Sequence, residues 1–287
     1  MGGRQTESGL LGILCLLLAG SSGIRECSAA VLASESFNYE QADGSLISGA
    51  AGGTGWSGAW GNTGLDFYRT AGMTFPGLTT SGGSIETRSF SATDFRNLNA
   101  SYGTDGTTLW LRFLIQRDNT DTEGNSGYAG LSLFDNGSEQ LFIGKRNGVS
   151  TWGLEQAGGG ASANSTVSIN DPGAAMMLVR LSFLPGAETI DLWALNSEAP
   201  EDELDLGAAS ASISATDFDF NRIRIGSGSN VYNFDEIFLA SSYEDLFATS
   251  VPEPTTLVLM MGAGLVLTRL RQRVGQSVAE PRVGFRD

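Results

Sequence analysis

Two tryptophans four residues apart in a glycine-rich stretch are the first candidates for ligand chemistry. Trp56 and Trp60 lie in residues 52–60 (GGTGWSGAW), a composition that predicts a loop rather than a strand face. Sugars have apolar C–H faces that stack on aromatic rings, and an exposed tryptophan offers a large contact area at small entropic cost. The pair is therefore a candidate ligand-binding site. The alternative is that both rings cover the edge of a core.

Hard oxygen ligands are concentrated in residues 118–125 (DNTDTEGN). Calcium binds six to eight oxygens, and Asp118, Asp121 and Glu123 could supply part of such a set from one loop. The spacing does not match the EF-hand pattern, and a solvated turn is the alternative. Calcium is the only cofactor that this sequence suggests.

Catalytic candidates are few, because the chain contains no histidine. This excludes Ser-His-Asp and Cys-His nucleophilic sites and all histidine-ligated metals. The stretch from Glu203 to Asp205 places two carboxylates at alternate positions, as in the Glu-x-Asp-x-x-Glu strand of concanavalin-A-like glucanases, but the third position is Ala208. We therefore predict no catalytic residue and treat a glycan hydrolase or lyase as the alternative.

Asp235 and Glu236 are adjacent, and in a regular strand they would point to opposite faces. On that pattern Asp235 shares a face with Ile237 and Leu239. We expect the Asp235 carboxylate to accept a structural hydrogen bond from a loop.

Charge is distributed unevenly along the 287 residues, which carry a net charge of −15. Residues 31–250 hold 27 acids and only 10 bases, whereas residues 251–287 hold 5 bases and 3 acids. An acidic body repels phosphate backbones, so nucleic acid is not an expected partner.

The N-terminus has the pattern of a signal peptide over residues 1–30. An apolar run from Leu10 to Ala19 precedes the small residues Ser28, Ala29 and Ala30, so signal peptidase would leave Val31 as the first mature residue. A buried helix is the alternative. Cys15 and Cys27 both precede this cut, so the mature chain would lack cysteine and disulfides could not stabilise it.

The C-terminus combines three features in a fixed order. The residues Val251, Pro252, Glu253 and Pro254 interrupt any preceding structure, and an apolar run from Leu257 to Leu267 follows. Three arginines come next: Arg269, Arg271 and Arg273.

The 14 residues from Thr255 to Thr268 would form a helix of about 21 Å at roughly 1.5 Å per residue. That length is marginal for a hydrocarbon core of roughly 30 Å, so spanning requires snorkelling arginines or a thinned bilayer. The arginines predict that residues 274–287 form a short cytoplasmic tail and that the acidic body lies outside.

This order resembles the PEP-CTERM sorting signal of exported bacterial proteins, over residues 251–273. The resemblance implies an exosortase that recognises the Pro-Glu-Pro motif, with the arginines as the retention anchor. It also implies delivery of the body to the cell surface or the extracellular matrix after membrane anchoring. Family members usually end soon after the arginines, whereas this chain continues for 14 residues.

The body, residues 31–250, shows apolar alternation with a period of two. In residues 107–117, Leu109, Leu111, Phe113 and Ile115 fall on one face. Similar runs occur at residues 128–134, 140–146, 149–156, 176–184, 189–196, 221–226 and 231–240. Gly, Ser, Asn and Asp clusters separate them, as turns require. The pattern predicts an all-β fold, a two-sheet jelly-roll sandwich, with at most a short helix in residues 199–211.

The opening residues 33–39 (ASESFNY), the Gly/Trp-rich residues 52–60 and the late strand 233–239 are similar to exported laminin-G-like, concanavalin A-like domains. That resemblance implies a jelly roll that often binds carbohydrate and often holds calcium at a sheet rim. The sequence thus predicts an exported envelope or matrix protein whose body binds polysaccharide or other surface ligands. A passive structural matrix protein is a further alternative.

Overall fold

A computed structural model of the chain describes residues 30–62, 66–88, 92–118 and 125–247. The sorting motif, apolar helix, arginines and tail, and all of the predicted signal peptide except Ala30, lie outside the described residues. Among the described residues, no helix is long and apolar enough to cross a membrane.

The described chain forms two antiparallel sheets that face each other across one core. The larger sheet has eight strands, seven of which lie in the order β13-β12-β11-β6-β15-β4-β3. Strand β1 also pairs with β15, on the same edge as β4 but further along the strand. The smaller sheet has seven strands in the order β10-β9-β8-β7-β14-β5-β2. This all-β sandwich of jelly-roll type confirms the predicted fold class.

The strands, numbered in chain order, are β1 (Val31–Glu35), β2 (Gly61–Asn62), β3 (Asp66–Arg69), β4 (Ser84–Arg88), β5 (Ala92–Tyr102), β6 (Thr108–Arg117), β7 (Ala129–Asp135), β8 (Ser138–Lys145), β9 (Thr151–Gln156), β10 (Ser162–Ser168), β11 (Ala175–Ser182), β12 (Ala187–Leu195), β13 (Ala211–Thr216), β14 (Phe220–Ser227) and β15 (Val231–Ala240). Two short 3-10 helices cover Glu203–Leu206 and Glu244–Leu246.

The core lies between the two inner faces and follows the predicted alternation. Leu109, Leu111, Phe113 and Ile115 all belong to it. Side chains of the opposing sheet, such as Leu131, pack against the same core. Because successive residues of a strand point to opposite faces, this alternation assigns the inner side of each strand.

The last strand departs from the alternation at Glu236. This residue has a left-handed backbone with φ of 51°, and the pairing of β15 with β6 shifts between Asp235 and Phe238. The irregularity is a bulge, which re-aims the side chains that follow it. As a result Phe234 and Ile237 both enter the core, and the expectation that Asp235 shares a face with Ile237 is wrong. The predicted hydrogen bond from a loop is confirmed, because the Asp235 carboxylate accepts from Met73 N at 2.8 Å.

The outer face of the eight-stranded sheet is covered by the chain itself. One cluster groups Trp110 and Trp193 with Tyr243 and Leu246, which lie beyond the last strand. A second cluster joins Met73 and Phe75 from the β3–β4 connection to strand residues of the same sheet. Connections therefore bury apolar side chains that the alternation alone would leave exposed.

Candidate functional site

The predicted tryptophan pair lies against the core rather than in an open loop. Trp60 is only 2% exposed, and Trp56 is half-buried and packs against the core. Both indoles are fixed by donated hydrogen bonds, from Trp56 Nε1 to Ser34 O and from Trp60 Nε1 to the Tyr39 hydroxyl, each at 2.9 Å. This packing follows the alternative given above, because Trp60 offers no exposed face on which a sugar could stack.

The two indoles enclose a buried ion pair between Arg96 and Glu35. The Arg96 guanidinium lies 5.0 Å from the Trp56 ring centroid and 5.9 Å from that of Trp60. Burial raises the pKa of Glu35, while Tyr39 and Arg96 act in the opposite direction. The Gly/Trp stretch thus joins β1 to β5, and these contacts are structural.

The predicted calcium loop is described only at its first residue. Asp118 is half-buried, and its backbone N–H donates to Val231 O at 2.8 Å. Asp121 and Glu123 lie outside the described residues, so calcium at this loop stays a prediction.

The acidic stretch that could have been catalytic lies in the connection between β12 and β13. Glu203 and Asp205 belong to an exposed 3-10 helix whose N-terminus is capped by Asp202. Glu203 lies 3.5 Å from Arg180. These carboxylates line neither of the two grooves described below.

A row of glycines crosses the outer face of the seven-stranded sheet. Gly226, Gly130, Gly144 and Gly153 are consecutive cross-strand partners on β14, β7, β8 and β9. Aromatic rings occupy the space of a side chain at Gly130, in this row, and at Gly228, just after β14, whereas Gly144 and Gly153 face backbone carbonyls. A Cβ at Gly130 would lie 2.8 Å from Phe142 Cζ, and one at Gly228 would lie 2.7 Å from the Tyr128 ring. The glycines let these two rings lie directly on the sheet.

Tyr128 and Phe142 line a groove of about 260 Å³ on this face. Their rings meet edge to face with centroids 6.1 Å apart. The other lining residues are Glu139, Arg146, Asn147, Glu155, Ala157, Gly158 and Arg224. We call this site the aromatic groove.

The charged groups of the aromatic groove are paired but accessible. Arg224 Nη2 lies 2.8 Å from Glu139 Oε1, and both side chains are partly exposed. The Arg224 guanidinium also lies 4.5 Å from the Phe134 ring centroid. Across the groove, Arg146 donates to Asn164 Oδ1 at 2.8 Å and lies 3.8 Å from Glu155. The groove therefore presents donors and acceptors around two aromatic rings.

A larger groove of about 530 Å³ lies on the eight-stranded sheet. Its lining includes Arg69 and Glu86, paired at 2.8 Å, and the cross-strand neighbours Asn233 and Gln116. No aromatic ring is among its lining residues, all of which belong to the described part of the chain.

Sequence reasoning missed the aromatic groove, although one clue was available. A glycine inside a strand often marks a place where another group approaches the backbone closely, and Gly130, Gly144 and Gly153 all interrupt apolar strands. Their alignment into one row depends on the register between strands. Local sequence does not contain that register.

No family model matches the sequence, and no curated protein matches it. Solved structures do resemble the fold. The binding domain of botulinum neurotoxin serotype D matches with a TM-score of 0.44 and 14% identity, over 75% of this chain and 49% of that chain. This chain thus spans about half the length of that structure. An alginate lyase from Corynebacterium sp. matches with a TM-score of 0.36 and 14% identity, over 62% and 76% of the two chains. The metal-free carbohydrate recognition domain of Emp46p matches with a TM-score of 0.38 and 10% identity, over 64% and 87%.

Proposed function

We propose that this protein binds polysaccharide in the aromatic groove of the seven-stranded sheet. The observation that carries the proposal is the half-buried Tyr128 ring, which packs on the buried Phe142 and lines a groove with accessible charged groups. Binding sites for small ligands are concave and largely apolar, with a few polar groups that fix orientation. An aromatic face contacts the C–H surface of a sugar, while nearby donors and acceptors bind its hydroxyls.

The polar rim is suited to hydroxyl groups. Arg224 and Arg146 keep N–H donors near solvent, and Glu139 and Glu155 supply acceptors of opposite charge. Since each arginine is already paired, the rim needs no bound anion to balance its charge. A neutral or mixed sugar chain therefore fits the groove without displacing an ion pair.

The proposal is for binding without catalysis. Glu203 and Asp205 support no hydrolase or lyase mechanism, because they lie on an exposed segment that lines neither groove.

A glycan array probed with the purified full-length chain tests this proposal, with and without calcium. Tyr128→Ala removes the half-buried ring of the groove, and we expect at least a tenfold loss of affinity for the glycans bound by wild type. Gln116→Ala in the larger groove is the matched control and should bind like wild type. Loss of binding in Gln116→Ala alone would place the site on the eight-stranded sheet. An array on which no glycan binds would contradict the proposal that the protein binds polysaccharide.

We also propose that the body reaches the cell surface through signal peptidase and an exosortase. Support comes from the sequence alone: the apolar run before Val31, the Pro-Glu-Pro motif at residues 252–254 and the arginines from Arg269 to Arg273. Mass spectrometry of the exported protein should find Val31 at its N-terminus and no residues beyond the motif. Pro252→Ala with Pro254→Ala should leave an uncut, membrane-associated form, and normal processing of this variant would contradict the assignment.

A further inference from the structure

Three carboxylates from different parts of the sequence meet at one end of the sandwich. Asp105 lies in the β5–β6 connection, Glu188 at the start of β12, and Asp217 just after β13. Their oxygen atoms lie within 4.8 Å of one another. Asp105 and Asp217 are exposed, whereas Glu188 is fully buried. The cluster is therefore open on one side and closed on the other.

The buried member of this cluster has one oxygen without a donor. Glu188 Oε2 accepts a hydrogen bond from Leu184 N at 2.7 Å, but within the described residues nothing donates to Glu188 Oε1. A buried carboxylate oxygen without a donor costs free energy, so such a group normally has a partner. Glu188 Oε1, the oxygen without a donor, therefore belongs to the carboxylate that lies beside Asp105 and Asp217.

Among the described residues, no basic side chain compensates the three charges. Within the described ranges, none of the ion pairs formed by arginine or lysine involves Asp105, Glu188 or Asp217. Burial raises the pKa of Glu188, and the negative charges of Asp217 and Asp105 raise it further. The folded chain thus holds these acids together at a cost that a bound cation would remove.

We propose that Asp105, Glu188 and Asp217 bind a calcium ion. Calcium prefers carboxylate oxygens at about 2.3–2.6 Å and accepts six to eight ligands in flexible geometry, which lets water complete the exposed side. The chain has no histidine, and carboxylates alone are a poor set for softer metals. Magnesium demands stricter octahedral geometry and keeps more of its water, so this site favours calcium.

The position of the cluster gives the ion a structural role. Gly106 N donates to Phe183 O at 2.8 Å, so the β5–β6 connection already contacts the end of β11. The three carboxylates extend this contact to the β13–β14 connection. Because β5 and β14 belong to one sheet and β6, β11, β12 and β13 to the other, an ion here would link both sheets at one end.

Calcium titration of the purified full-length chain, followed by calorimetry and thermal unfolding, tests the site. For wild type we expect saturable binding and a rise in Tm of about 2–5 °C in millimolar calcium over EGTA, since a ligand that binds only the folded state stabilises it. Magnesium at the same concentration should give a smaller rise. Glu188→Gln should abolish the calcium-dependent rise, and Asp217→Asn should weaken binding at least tenfold.

Two controls keep this test decisive. Gln at position 188 can still accept from Leu184 N and removes one negative charge, so we expect this variant to fold and to melt in EGTA at or above the wild-type Tm. Asp121→Asn, in the loop predicted from sequence, should keep the full calcium effect. The proposal is overturned if wild type does not respond to calcium, if Glu188→Gln responds fully, or if Asp121→Asn removes the response.

Discussion

The two outer faces of the sandwich differ in what covers them. On the eight-stranded sheet, Trp110 and Trp193 stack at 5.7 Å and are covered by Tyr243. On the seven-stranded sheet, the glycine row is buried with side chains of the sheet itself, such as Phe142, close to it, and the aromatic groove is lined by the half-buried Tyr128. The comparison shows that connections bury apolar surface on one sheet, whereas on the other a half-buried ring, Tyr128, lines the groove proposed to bind polysaccharide.

Arg112 should give the largest effect, because it joins the segment after β15, which contains Tyr243 and Leu246, to the eight-stranded sheet. Its guanidinium donates to Leu246 O, lies 3.2 Å from Glu236 Oε2 and sits 4.3 Å from the Phe238 ring centroid. Arg112→Ala leaves Glu236 buried without its cation, and we expect a loss of about 3–5 kcal/mol in unfolding free energy.

Urea unfolding measures the Arg112 effect, with Arg180→Ala as the control. Arg180 is 37% exposed where it pairs with Asp191, so its removal should cost less than about 1 kcal/mol. Equal losses in the two variants would contradict the expected difference between a buried and a partly exposed ion pair on this sheet.

A methyl group in the glycine row should give the next largest effect. In Gly144→Ala the new Cβ would lie 2.3 Å from Ala129 O, and the backbone φ of 147° is unfavourable for alanine. Since the contact is with backbone, relief requires the sheet to move, and we expect a loss of about 2–3 kcal/mol by thermal unfolding. Gly137→Ala meets nothing within 4 Å and should be near neutral. A stable Gly144→Ala would show that the open face tolerates ordinary side chains.

The cover over the eight-stranded sheet should also make stability depend on pH. Burial raises the pKa of Asp235 to about 8. Because the folded pKa exceeds the unfolded one, Asp235 favours folding fully below about pH 4, and this contribution is lost as pH rises through 8. Wild type should therefore lose unfolding free energy, on the order of 1–3 kcal/mol, between pH 5 and 8.

Asp235→Asn should reduce that slope, as measured by urea unfolding at several pH values. The slope should not vanish, because burial also raises the pKa of Asp66 and Asp94, which face each other between the sheets. A slope identical to wild type would mean that the cover does not keep Asp235 from water.

The smallest effect is expected at Arg222 on the open face. Its guanidinium lies 4.7 Å from the Phe95 ring centroid and donates to Asn97 Oδ1 at 2.7 Å, all at a partly exposed position. Arg222→Ala should change the unfolding free energy by less than about 1 kcal/mol. Differential scanning calorimetry at matched pH would measure this change, and a loss as large as that of Arg112→Ala would contradict the distinction between the faces.

The sequence predicts the structure correctly where a side chain's position depends on its neighbours along the chain. Alternation identified the inner residues of β6, such as Leu111 and Phe113, because a strand places every second side chain on one face. It failed at Glu236, where a bulge shifts the alternation. At Trp60 the sequence left an exposed and a core position open, and in the structure the ring enters the core.

The two proposed sites depend on contacts between distant residues. Gly130 and Gly153 align only through the register of three strands, and Asp105 meets Glu188 and Asp217 across three connections. Neither arrangement leaves a spacing motif in the sequence, so both sites could be recognised only in the folded structure.

Strand β1 lies beside the last strand, with Val31 opposite Ala240 and Ser241 N donating to Ala30 O. The two ends of the sandwich therefore emerge next to each other. Chain order could accordingly be rearranged: a circular permutant with those ends joined by a short linker and a new opening at the exposed Asn136–Gly137 turn would retain every strand pairing. Both ends belong to the eight-stranded sheet, so a reporter fused to either of them would leave the aromatic groove of the other sheet accessible.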